Sequence, residues 1–158
     1  MKITLTNGIE IEVSAPPTWR AYELAEKMHP VIEVPVVTST TVTGAEVSMS
    51  IDDDPEYLRE VAERDDRVAE TASDLYLLFA LKSVVVPDDF DVMDYAEICL
   101  WADPDWEPRK GDAGRKLDYI HYDLLAGAQD FALIQQIIND MSVIDQEAVA
   151  AITASFQR

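Results

Sequence analysis

Residues 52–81 read DDDPEYLREVAERDDRVAETASDLYLLFAL, and this stretch decides how the rest of the chain is interpreted. Asp53 or Asp54 is placed to cap a helix. With Asp53 as the cap, Glu56 falls at the reciprocal capping-box position and Pro55 sits in the first turn, where a missing N–H costs nothing. The acids also suit the positive end of the helix dipole. Tyr57, Val61, Val68, Ala72, Leu75 and Phe79 recur at spacings of three, four and seven, which draws one apolar stripe. At ~1.5 Å per residue the helix spans roughly 40 Å. Everything before it is read against this rod, and everything after it must pack somewhere near its apolar end.

Upstream lie two β-rich segments. Residues 2–13, KITLTNGIEIEV, alternate around Asn7-Gly8. A two-residue Asn-Gly turn would send the apolar residues of the two strands to opposite faces. A three-residue loop, Thr6-Asn7-Gly8, with Gly8 left-handed, instead pairs Leu5 with Ile9 and Ile3 with Ile11, and is preferred. Pro16-Pro17 end the strand, Thr18 caps a helix over 19–28, and Pro30 stops it. Residues 31–51 are β-branched and poor in helix formers. A turn at Thr43-Gly44 pairs Val42 with Ala45, Thr40 with Val47, Thr38 with Met49 and Val36 with Ile51.

Downstream the pattern is helical. Asp88 or Asp89 caps a helix to about Trp101, and WADPDWEPRKGDAG (101–114) reads as an exposed loop. Asp112 opens a helix through Leu117, Ile120 and Leu124 that Gly127 stops. Asp130 to Met141 follows, with Phe131, Ile134, Ile137, Ile138 and Met141 on one side, and Asp145 opens a last helix facing Val149, Ile152 and Phe156 inward. The expected fold is therefore α+β: a small antiparallel β-sheet of two hairpins, then a mainly helical C-terminal part. One domain is expected over 1–158, β-rich over 1–51 and helical over 52–158.

With 158 residues, 48% apolar content and only five glycines, the chain can build a core and is not disordered throughout. The run Leu75–Leu81 is far shorter than the ~18 apolar residues of a membrane span, and MKITLTNG lacks an apolar signal core. A single cysteine, Cys99, excludes an internal disulfide and suits a reducing cytoplasm. The net charge is −19, and most of it lies between 51 and 108, where eighteen acidic residues face four basic ones. Such a surface repels nucleic acid and anionic lipid. A device for solubility, a docking face for a basic partner and a phosphate-backbone mimic all fit it.

Signals for chemistry are weak. Gly111 and Gly114 before Arg115-Lys116 lack the frame and the Ser/Thr of a phosphate-cradling loop. Asp52, Asp53 and Asp54 are consecutive and cannot converge on one ion. Asp103, Asp105 and Glu107 alternate as in a calcium loop, but Pro108 stands where that loop needs glycine. Cys99, His29 and His121 have no zinc spacing, and His121 reads as a half-buried packing residue. No cofactor, metal or catalytic residue is expected. Arg109, Lys110, Arg115 and Lys116 form a basic cluster best read as an internal or intersubunit salt link. Trp101 and Trp106 flank Pro104; one of them can simply plug the core, but exposed tryptophans anchor interfaces, so Trp101, Asp103, Asp105 and Trp106 are the candidate partner-binding residues.

The order of parts, with DDDPEYL opening a long charged helix, then RKLDYIHYDLL, a helix ending NDMSV, and DQEAVAAITASF, resembles tail assembly chaperones of long-tailed bacteriophages (the siphovirus type). The likeness is one of layout and short phrases across most of the chain; the large β portion and heavy acidity depart from the small helical members. It implies a non-enzymatic protein of the host cytoplasm that binds the tape measure protein and keeps it soluble. It brings no catalytic residues, nucleic acid or membrane, and leaves homo-oligomerisation open. The rival expectations are an acidic DNA-mimic inhibitor of a host defence nuclease and a minor virion structural protein.

Overall fold

The computed structural model describes residues 1–141, so the helix expected after Asp145 lies outside the described residues. Two small antiparallel pairs precede a mostly helical remainder. The described chain divides into two compact units, one of residues 1–18 with the described residues from 74 onward and the other of residues 19–73. The N-terminal hairpin therefore belongs with the C-terminal helices, and the second hairpin with the first part of the long helix.

In the first unit, β1 (Lys2–Thr4) and β2 (Glu10–Glu12) pair with Ile3 opposite Ile11. The Leu5 N–H donates to the Ile9 carbonyl at 2.8 Å, and Gly8 has φ +84. This is the three-residue loop with a left-handed glycine, and it puts Leu5, Ile11 and Val13 on one buried face. The loop is itself anchored. The Asp130 carboxylate, buried near the start of a helix over 128–141, accepts the Thr6 N–H at 3.0 Å and the Thr6 hydroxyl at 2.5 Å. A carboxylate there also faces the positive end of the helix dipole.

The same core takes Leu77, Ala80 and Leu81 from the end of the long helix and Leu117, Ile120 and Leu124 from the following helical segment. Ile134, Ile137 and Ile138 complete it. The 128–141 helix thus buries the side expected from its periodicity. The helix expected from Asp112 to Gly127 is instead α4 (Gly111–Tyr119) followed by a wide π-helical turn (Ile120–Leu124), in which the Leu125 N–H reaches the Ile120 carbonyl at 2.9 Å. That extra residue per turn lets Ile120, Leu124 and Leu125 all face inward.

In the second unit, α1 (Thr18–Met28) is followed by β3 (Val36–Thr40) and β4 (Glu46–Ser50), and α2 (Pro55–Ala80) starts there. Asp54, not Asp53, caps α2: its Oδ1 accepts the N–H groups of Glu56 and Tyr57 at 3.0 and 2.9 Å. The His29 ring meets the Thr71 hydroxyl at 2.8 Å, and Arg64 Nε donates to the carbonyls of His29 and Pro30.

The second hairpin is one residue out of the expected register. Val37 faces Met49, Ser39 faces Val47 and Val36 faces Ser50. Thr41 closes on Ala45 at 2.8 Å around Val42-Thr43-Gly44, with Gly44 at φ +82. A two-residue turn would have forced Thr43, which is β-branched, to positive φ; the three-residue loop confines that demand to glycine. Every residue of β3 and β4 is exposed.

Candidate functional site

The segment between α2 and α4 is fastened on its inner side. The Asp91 carboxylate accepts the Met93 N–H at 2.9 Å and caps a 3-10 turn (Val92–Tyr95), so the helix expected from Asp88 or Asp89 starts later, as α3 (Ala96–Ala102). The Arg115 guanidinium donates to the carbonyls of Pro87 and Phe90, both at 3.0 Å. Tyr95 stacks on Tyr122 with ring centroids 5.3 Å apart. These contacts pin the entry to α3 without burying its outer surface.

Within α3, Ala96 and Cys99 are half-buried, while Glu97, Ile98, Leu100, Trp101 and Ala102 are exposed. Ile98 is 71% and Trp101 88% exposed. Residues three apart on a helix are neighbours, so these two side chains form one apolar spot. Met93, 56% exposed, precedes it in the 3-10 turn. Monomeric proteins leave single apolar residues exposed routinely, but tryptophan is among the residues that carry most binding energy at interfaces.

The four expected partner-binding residues separate. Trp101, Asp103 and Asp105 are exposed. Asp103 shapes the turn that follows, its Oδ1 accepting the Asp105 N–H at 3.0 Å and its carbonyl the Trp106 N–H at 3.0 Å. Trp106 turns inward and is half-buried, with its indole N–H donating to the Tyr122 hydroxyl at 3.2 Å. Sequence reasoning missed Ile98 and Met93. The available signal was that Ile98, Leu100 and Trp101 go around a short helix, so one buried face cannot hold them all.

The basic cluster is largely committed to the chain's own groups. Arg109 sits 2.8 Å from Asp118 and 3.5 Å from Asp74, and its backbone N–H also donates to the buried Asp118 carboxylate. His121 lies 3.3 Å from the same Asp74. Lys116 Nζ donates to the Lys82 carbonyl at 2.9 Å, and burial lowers its pKa. Tyr119 and Tyr122 have raised pKa values, because burial disfavours the phenolate in each.

Shallow clefts lie elsewhere. One of about 370 Å³ lies beside β2 and Val84-Val85, and one of about 330 Å³ in the second unit is lined by Glu33, Asp54, Glu56, Tyr57 and Glu60. Among the described residues no group of three His, Cys, Asp or Glu side chains is placed to hold a metal ion, and no helix is long and apolar enough to cross a membrane.

What fold and surface define is an α+β protein presenting a tryptophan-bearing helix face set among carboxylates. Compared with known proteins, the chain matches no family model, no curated sequence and no solved structure.

Proposed function

We propose that this protein is a tail assembly chaperone of a long-tailed bacteriophage, which holds the tape measure protein soluble in the host cytoplasm until the tail tube closes around it. The reading rests on the resemblance in layout and phrases. The observation that carries it is the exposed pair Ile98 and Trp101 on α3, an apolar contact surface flanked by exposed carboxylates. A client with long apolar faces is protected by covering those faces, and weak contacts repeated along one long client act together.

Co-expression with the tape measure protein of the same genome tests it: the soluble fraction of the client should rise several-fold. A client equally insoluble with and without this protein ends the reading. The phosphate-mimic alternative has less support. Arg59 lies 3.6 Å from Glu56 and 3.7 Å from Glu63 and interrupts the acidic row along α2.

A further inference from the structure

The carboxylates that flank Trp101 in sequence have no cations among them. Residues 88–108 contain eight Asp or Glu and no Lys, Arg or His. Glu97 lies one helical turn before Trp101, and Asp103 and Asp105 lie just beyond the end of α3, all exposed. Asp94, exposed in the 3-10 turn, precedes Ile98. The nearest arginines in sequence are engaged inward: Arg109 on Asp118 and Asp74, Arg115 on the carbonyls of Pro87 and Phe90. Lys110, exposed at the start of α4, sets a single positive charge against these eight carboxylates, so most of the neutralising charge must arrive with whatever covers the apolar spot.

That requirement narrows the occupant. A second copy of this chain would bring the same excess of acid, and an anionic membrane surface or nucleic acid would be repelled. Backbone groups matter as well. α3 is a short helix and offers no strand edge, so an extended peptide laid across it would find no ladder of partners for its own N–H and C=O groups. A helix satisfies its own backbone and offers side-chain ridges to fit between Ile98 and Trp101.

We propose that the outer face of α3 binds an amphipathic helical segment whose apolar residues pack on Ile98 and Trp101 and whose flanking Lys or Arg side chains meet Asp94, Glu97 and Asp103. The proposal rests on reading this face as the client surface, and it adds the chemistry of the segment recognised.

Calorimetric titration of the full chain with two synthetic helical peptides tests it. Both share one Leu-rich face; one carries Lys on the flanks of that face and the other Glu. The Lys peptide should bind, with affinity that falls as salt is added, and the Glu peptide should not. Trp101→Ala should weaken binding at least about tenfold, as should the pair Asp94→Lys and Glu97→Lys. Trp101 is exposed, so its variant should keep the native circular dichroism spectrum. Trp19→Ala, which alters an exposed tryptophan of the second unit, should bind normally.

Equal binding of both peptides, binding of neither, or Trp101→Ala binding like the wild type overturns the proposal. The two readings fail separately. Peptide binding through Trp101 with a client that stays insoluble removes the chaperone role and leaves this face. A client kept soluble by both the wild type and Trp101→Ala removes this face and leaves the role.

Discussion

Asp130 does two jobs, and the local pattern around it announces only the first. It sits in the first turn of the 128–141 helix, and it accepts both the N–H and the hydroxyl of Thr6, across the first unit's core. Hydrogen bonds to a charged group are worth about 1.5–3 kcal/mol net, so Asp130→Ala should destabilise the protein by about 2 kcal/mol in urea unfolding. Thr6→Val should lose much of the same energy, and the double variant should cost clearly less than the sum of the two. Additive effects would show that the Thr6 hydroxyl contact contributes nothing, since valine keeps the backbone N–H bond to Asp130.

Tyr119 makes a prediction about pH. Burial raises its pKa, and that of Tyr122, above the ordinary value near 10. Below about pH 10 both phenols are neutral in the folded and unfolded chain, and their contribution is fully present. Above it the unfolded chain releases its protons first, so stability should fall as pH rises toward the folded-state values. Denaturation midpoints measured along an alkaline series should show this loss, and Tyr119→Phe should flatten it.

Among the elements, α4 depends on a glycine for space. A Cβ at Gly114 would lie 2.7 Å from the Arg109 backbone carbon, where the preceding loop closes on the helix through the Arg109–Asp118 pair. Gly114→Ala should therefore cost about 1–3 kcal/mol by overpacking. Gly8 differs: nothing lies within 4 Å of its Cβ position, but φ is +84, so Gly8→Ala should cost only about 1 kcal/mol through backbone strain. Thermal or urea midpoints separate the two. The β3–β4 hairpin is exposed at every position, and two strands alone are marginal in water. Its amides should exchange with deuterium far faster than those of Leu77, Ala80 and Leu81, whose side chains sit in the core. Equal protection would mean that the hairpin is covered in solution.

For the molecule as a whole, charge is the dominant quantity. A net charge of −19 sets carboxylate against carboxylate, and the described ion pairs offset few of them. Screening should relieve that repulsion, so raising ionic strength to ~0.15 M should raise the melting temperature. A fall would mean that the internal pairs around Arg109, Asp74 and Asp118 outweigh the surface. On the binding mode proposed for α3, the same acid that burdens folding also favours a cationic partner over an anionic one at Trp101.

Local patterning determined a good deal about this protein. The α+β composition, the span of the long helix, the Thr6-Asn7-Gly8 loop and the buried side of the 128–141 helix follow from the 2.0 and 3.6 residue periods and from turn chemistry, which act over a few neighbours. The exposed positions of Asp103 and Asp105 were legible too, from turn-rich flanking sequence. Other features waited on partners distant in the chain. Leu75–Leu81 is apolar all round, so periodicity alone named Leu75 and Phe79 for the inner face, whereas packing buried Leu77, Ala80 and Leu81. Trp101 and Trp106 look alike in sequence, and only the Tyr122 hydroxyl, sixteen residues on, turned one inward while the other stayed in solvent. Which member of an ambiguous set is buried depends on what stands opposite it, and in this chain the groups standing opposite come from other parts of the fold.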